Sequence, residues 1–230
     1  MRTPVSNSAL VMQARLSSTR LQKKALLPLY EGVPSLLLAM EGIYGVADYH
    51  ILACDLESYD VFTPIARQAR FDILTGSLDD VLLRFIQVMR VIPPVKYVIR
   101  ATADNTIVGR MLPQVALQRA IDSDADYFCF SQTPHGSGVE IIRYDALLEA
   151  HQKAVSSHHR EHVTAYIYDN RDKFKVETPA APNLWIGEDI RSTLDTHDDY
   201  LRLKAFWSEY YHHFDFSSII EEYIQWARRG

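Results

Sequence analysis

Cysteine is scarce in this sequence, with only Cys54 and Cys129 in 230 residues. Two thiols make no disulfide framework. Both lie in apolar runs and read as buried free thiols suited to a reducing compartment. No stretch approaches the roughly 18 consecutive apolar residues of a membrane span. The opening segment, MRTPVSNSALVMQARLSS, lacks the long apolar core of a signal peptide. Positive charge is not in excess either: 24 Lys+Arg stand against 29 Asp+Glu, a net charge of −5. A general nucleic-acid binder is usually basic. The expectation is a cytoplasmic protein with no membrane insertion and no nucleic-acid partner. There is also no internal repeat, low-complexity tract or long linker. A single domain over 1–230 is expected, with a small subregion around 132–190 for sugar binding or dimerisation.

What the sequence does contain is ordinary globular material, 47% apolar and 23% charged. Short runs rich in β-branched or aromatic residues recur: Ala9–Met12, Tyr49–Ala53, Tyr97–Ala101 and Tyr127–Phe130. Each has strand length. Helical spacing fills the intervals over Ser35–Tyr44, Ser58–Ala69, Ser77–Val91 and Val108–Ile121, with Ser77 as the expected N-cap of the third. Further helical patterns cover Tyr144–Val155, Arg160–Tyr168, Asp198–Tyr211 and Ser217–Arg228, and a short strand is expected around Arg191–Leu194. Strand alternating with helix predicts an α/β fold, a mostly parallel central sheet with helices on both faces. Ligands of such sheets sit beyond the carboxyl ends of the strands. That places the stretch Arg15–Lys24 and the residue Asp104 at the binding edge.

The stretch after the first strand carries Arg15, Arg20, Lys23 and Lys24, with Ser17, Ser18 and Thr19 among them. In an acidic protein this is either a solvated surface loop or a set of cations, hydroxyls and backbone N–H groups for a polyphosphate. It is not a Walker loop, because GxxxxGK[ST] is absent. The dinucleotide fingerprint is absent too: Gly136-Ser-Gly138 would need a glycine where Ile141 stands. Two carboxylates, Asp104 in Thr-Ala-Asp-Asn and Asp195 in Thr-Leu-Asp-Thr, each follow an apolar run. They read either as turn or helix caps or as hard oxygen ligands, and spacing alone does not bring them together.

The loop QARLSSTRLQKKALLPL resembles the signature QARMGSTRLPGKVLLPL of cytidylyltransferases of the spore-coat polysaccharide type, which are similar to CMP-KDO and CMP-sialic acid synthetases. Five more blocks follow in register: LTGSLDDVLLRF, RATADNTIV, GSGVEIIRYDAL, REHVTAYI and STLDTHDDY. The resemblance implies a nucleotide-diphospho-sugar transferase fold of the GT-A-like Rossmann kind. It implies transfer of CMP from CTP to a small, acidic sugar acceptor. Ala14, Arg15, Ser17, Ser18, Thr19, Arg20, Lys24 and Thr102 would hold the nucleotide, and Ser77 or Asp80 would lie at the base. Asp104 and Asp195 would carry Mg²⁺, with Arg15 and Lys24 as their catalytic companions. Glu140, Arg160 and His162 would face the sugar, with Arg100, Arg143 or Arg160 serving a carboxylate-bearing acceptor. By analogy with related enzymes, the chain is expected to form a homodimer. A related enzyme with another nucleotide or a polyol-phosphate acceptor, or a degenerate nucleotide-binding module, are the alternatives. His158 and His162 also form an H-x-x-E-H pattern able to suit zinc, but that stretch belongs to the resembling blocks, where zinc is not implied. Two signature glycines are replaced, by Ser17 and Lys23. The expectation is that close backbone approach and positive φ are lost at both.

Overall fold

The computed structural model describes residues 7–18, 20–210 and 216–229. The first strand, β1 (Ser8–Gln13), leads through the basic loop to a hairpin of β2 (Pro28–Tyr30) and β3 (Val33–Pro34). Then come α1 (Ser35–Ile43), β4 (Tyr49–Cys54), α2 (Leu56–Gln68), β5 (Asp72–Thr75), α3 (Val81–Met89) and β6 (Tyr97–Thr102). The chain continues with α4 (Met111–Ser123), β7 (Tyr127–Phe128), β8 (Glu140–Arg143) and α5 (Tyr144–Lys153). Two short helices, α6 (Ser157–Glu161) and α7 (Ala165–Asp169), precede β9 (Val176–Glu177). The helices α8 (His197–Tyr210) and α9 (Ile219–Ala227) close it.

Seven strands form one sheet in the order β5-β4-β1-β6-β8-β7-β9. The four from β5 to β6 run parallel, β8 is antiparallel to both β6 and β7, and β9 is parallel to β7. The expected mostly parallel sheet is therefore present. β1 is buried on both faces, so its sequence is unbroken in hydrophobicity rather than alternating. Its side chains divide between two cores. Leu10 and Met12 join a cluster with α1, α2, α4, α8 and α9, while Ala9 and Val11 join one with α3, α5 and α7.

The connections from β1 run first to β4 and β5 on one side, then return to β6 on the other. β1 and β6 therefore flank a topological switch point, where the chain ends of two parallel strands diverge and leave a crevice. Their register pairs Gln13 with Thr102, so the basic loop and the Asp104 loop emerge side by side.

Three local expectations need correction. α3 begins at Val81 rather than Ser77, and its N-cap is Asp80, whose Oδ1 accepts from Leu83 N at 2.8 Å. Ser77 Oγ instead accepts from Asp80 N at 3.1 Å, building a turn ahead of the helix. The pattern over Arg160–Tyr168 is divided between α6 and α7, because His162 leaves helical backbone at φ −99°, ψ 80°. Arg191–Leu194 forms isolated bridges, Thr193 with Asn105 and Arg191 with His135, and no full strand.

The carboxy-terminal helices are built into the larger core through Phe206, Trp207 and Tyr223, all fully buried. The Trp207 indole also donates to Thr106 Oγ1 at 3.2 Å. Trp207→Ala should lower unfolding free energy by about 3–5 kcal/mol through cavity formation, read as a shifted urea midpoint with an unchanged slope.

Candidate active site

A cleft of about 480 Å³ opens at the switch point. The loop after β1 supplies one wall through Ala14, Arg15, Ser17, Ser18, Arg20 and Lys24. Thr102 and Asp104 supply another, Val81 and Arg84 of α3 a third, and Arg100, Glu161 and His162 complete it. Thr19 lies outside the described residues.

The loop is held from beneath. Leu16 N donates to Ser58 Oγ at 2.9 Å, and Lys24 O accepts from Ser35 Oγ at 2.7 Å. Lys23 takes a left-handed conformation, φ 50° and ψ 32°. The expectation that positive φ is lost here is overturned: the backbone turn survives without the glycine. Ser17 is not among the described residues with positive φ, so a side chain there costs no left-handed strain. A non-glycine residue in this region is penalised by roughly 1–2 kcal/mol. Lys23→Gly should therefore raise stability by about 0.5–1 kcal/mol after the added chain entropy of glycine is subtracted, seen as a higher melting temperature.

The two distant aspartates meet. Lys24 Nζ lies 2.5 Å from Asp104 Oδ2 and 2.7 Å from Asp195 Oδ1. Arg20 Nη2 reaches the same Asp195 oxygen at 3.1 Å, and Arg191 Nη2 reaches the other at 3.1 Å. Backbone pairing makes this possible. Leu194 N donates to Asp104 O at 2.9 Å, beside the Asn105–Thr193 bridge. Gly136 packs so tightly over this junction that a Cβ would fall 2.6 Å from Thr193 N, and its φ of +105° suits glycine.

Asp195 is mounted by a residue that the sequence reading missed. Asp199 Oδ2 accepts from Asp195 N at 3.0 Å and from Thr196 N at 2.9 Å, while Asp199 N donates to Thr196 Oγ1 at 3.1 Å. This is a capping box with aspartate in the acidic place, and its signal was present in Thr196-His-Asp-Asp199. The other oxygen of Asp199 pairs with Arg191 and Arg202. Burial works against the charged form of Asp199, but hydrogen bonds from Arg191 and Arg202 outweigh it and hold the carboxyl far below its ordinary range. Asp195 follows the same logic: burial raises its pKa, and Lys24, Arg20 and Arg191 together bring it below normal.

The remaining expected residues sit behind the walls. Glu140 accepts from Tyr127 OH and Thr164 Oγ1 at 2.8 Å, from Tyr168 OH at 3.1 Å, and pairs with Arg100. Burial opposes its ionisation, but the Arg100 guanidinium prevails and lowers the pKa. Arg100 itself lines the cleft and donates to Gln13 Oε1 at 3.1 Å. Arg160 lies between Asp80, at 3.3 Å, and His151, at 2.8 Å. Arg143 is engaged with Asp124 and Asp126, away from the cleft lining. Ser77 and Asp80 form the turn before α3 and do not line the cleft. The His158 and His162 rings are 4.6 Å apart. Among the described residues, no group of three or more His, Cys, Asp or Glu is placed to hold a metal.

The site thus joins a cationic, hydroxyl-bearing loop to two converging carboxylates over a parallel sheet, an arrangement suited to a polyphosphate. The sequence model of the cytidylyltransferase family matches residues 9–226. The chain belongs to this family. By family it is an enzyme, a nucleotidyltransferase of the CTP-dependent kind. Spore coat polysaccharide biosynthesis protein SpsF of Bacillus subtilis (strain 168) is 30% identical over 208 residues, covering 86% of this chain and 85% of that protein. A cytidylyltransferase structure from Leptospira borgpetersenii superposes with a TM-score of 0.86 at 20% identity, covering 97% of this chain and 94% of that one. CMP:2-keto-3-deoxy-manno-octonic acid synthetase complexed with CTP gives a TM-score of 0.62 at 14% identity, with coverages of 86% and 97%. These two structural likenesses establish the cytidylyltransferase, nucleotide-sugar transferase fold.

The depressed carboxyls set the acid limit of this family member. Each has a folded pKa below its unfolded value, so its contribution is full above the unfolded value and disappears as pH falls through the folded one. Stability should begin to fall below about pH 6.5, because burial lowers the His50 pKa to about 4 and its protonation favours the unfolded chain, and should fall more steeply below about pH 4 as the carboxyls protonate. Asp199→Asn should lower the plateau and flatten this acid limb, measured by urea unfolding across pH.

Proposed function

We propose that the chain transfers CMP from CTP to a hydroxyl of an acidic sugar, releasing pyrophosphate, in the synthesis of a surface polysaccharide. The observation that carries this reading is the convergence of Asp104 and Asp195 on Lys24, beside the basic loop at the switch point. The spore-coat polysaccharide relative supports the pathway class. The free thiols of buried Cys54 and half-buried Cys129, each pushed up to about 12 by desolvation, support a reducing cytoplasmic setting. The pairing of β8 with β6 supports one catalytic domain that includes the 132–190 segment in its sheet.

In this reading the loop holds the triphosphate. Arg15 and Arg20 are exposed cations at its rim, Ser17 and Ser18 offer hydroxyls, and Ala14 and Thr102 flank the strand ends. Lys24 joins this loop to the two carboxylates and tempers their mutual repulsion. Asp104 and Asp195 offer hard oxygen donors around a point already favourable to a cation, a set that suits Mg²⁺, which is completed by phosphate oxygens and water. When bound, Mg²⁺ supplies charge neutralisation at the α-phosphate and acidifies the attacking hydroxyl. The acceptor oxygen attacks the α-phosphorus in line, its proton passes to water, and the bond to pyrophosphate breaks. The chain's own contribution is orientation and electrostatic fit.

Of the three arginines considered for an acidic acceptor, Arg100 is the one that lines the cleft. It takes the sugar carboxylate, with His162 beside it, while Glu140 orients Arg100. Arg160 works from behind, steadying Asp80 at the base-side turn.

Pyrophosphate release, assayed with each of four nucleoside triphosphates and a panel of acidic and neutral sugars, tests the reading. CTP with an acidic sugar should give turnover. Turnover only with another nucleotide, or with a polyol phosphate, replaces it with the related-enzyme reading, and none at all leaves a binding module. Asp104→Asn and Asp195→Asn should each cut turnover by about 10²–10⁴-fold while retaining the wild-type circular dichroism spectrum. A fully active Asp104→Ala variant refutes the ligand assignment.

A further inference from the structure

The base-side turn presents a puzzle of unavailable groups. Ser77 N donates to Gln87 Oε1 at 3.0 Å, Ser77 O accepts from Arg84 Nε at 2.7 Å, and Ser77 Oγ accepts from Asp80 N. Leu78 O accepts from Arg84 Nη2 at 2.9 Å. Both oxygens of Asp80 are engaged, one by Leu83 N and one by Arg160. The whole turn is clamped against α3, so closely that a Cβ on Gly76 would lie 2.6 Å from Arg84 Cγ.

The clamp itself is the polar group left over. Arg84 is 2% exposed, yet it lines the cleft beside apolar Val81. A guanidinium has five N–H donors, and two are spent on the carbonyls. Among the described residues Nη1 has no protein acceptor and is not sealed from solvent, and no carboxylate pairs with Arg84. Asp55, which acts on it from farther off, has its oxygens on Ser58 N at 3.1 Å and Ser58 Oγ at 2.7 Å. A cation this poorly solvated and without a carboxylate partner carries a desolvation cost, and that cost is relieved when a ligand supplies acceptors. Exposed Arg15 and Arg20 are suited to phosphate, whereas a deep guanidinium next to an apolar side chain suits a flat ring with an acceptor edge.

We propose that Arg84 is the residue that reads the nucleobase, donating from its unused N–H groups to O2 and N3 of cytosine. Uracil carries a hydrogen on N3 and lacks that pair of acceptors, so the same contact sets the nucleotide preference. The inference rests on the CTP reading above and extends it to specificity.

Isothermal titration with CTP, UTP, 3-deaza-CTP and inorganic tripolyphosphate tests it. The wild-type protein should bind CTP about 10–100-fold more tightly than UTP or 3-deaza-CTP, which lacks the N3 acceptor. Arg84→Lys should weaken CTP by a similar factor, bring the three nucleotides level, and leave tripolyphosphate within about twofold. Gln87→Ala loosens the same turn without touching the guanidinium and should keep the CTP preference. Equal wild-type affinity for CTP and 3-deaza-CTP overturns the assignment, a comparison that needs no variant. So does a matching loss of tripolyphosphate binding in Arg84→Lys, or levelling by Gln87→Ala. Base preference that depends on Arg84, with no pyrophosphate released with any sugar, instead defeats the transferase reading and leaves the base contact standing.

Discussion

One ammonium group between two carboxylates organises the site. Asp104 and Asp195 come from separate segments, and like charges this close repel in a partly dry setting. Lys24 removes that repulsion by touching both. The basic loop is therefore tied to the metal-binding candidates in the same contact that tolerates their proximity. Arg20 and Arg191 extend the arrangement around Asp195, so that carboxylate is held ionised and aimed before any ligand arrives.

The sheet supplies the opening in which this contact sits. Reversal of strand order beside β1 leaves the ends of β1 and β6 uncovered, and the loops that follow them form facing walls. The cleft also draws on both cores. Lys24 and Asp104, with Asp195 behind them on Lys24, stand on the side packed by α1 and α8, while Arg84 and Arg100 rise from the side packed by α3 and α5. A ligand across the cleft spans the sheet edge and meets different chemistry on each flank: exposed cations at the loop, buried donors at α3.

Much of this was legible in the residues. β1, β4 and β6 announce themselves as short apolar runs, interrupted only by His50 in β4 and Arg100 in β6, because strands covered on both faces have little polar side to alternate. The basic loop stands out because the rest of the chain is acidic. The meeting of Asp104 with Asp195 was not legible from spacing, since it depends on Leu194 N bonding to Asp104 O and on Gly136 packing over Thr193. Such pairings connect distant positions and leave no local period. The start of α3 was misplaced because Ser77 and Asp80 are both good caps, and only the clamp from Arg84 and Gln87 decides between them. Lys23 misled in the opposite sense. A missing glycine suggested a lost turn, yet the surrounding bonds hold lysine in the left-handed region.

The capping box at the head of α8 carries a further implication. The carboxylate that starts this helix also shoulders Asp195. Helix nucleation and the mounting of Asp195 thus share a single side chain, so neither can be tuned alone. A substitution that loosens the start of α8 therefore also loosens Asp195, so the packing of the carboxy-terminal helices and the placement of the carboxylate on Lys24 are tethered to one another.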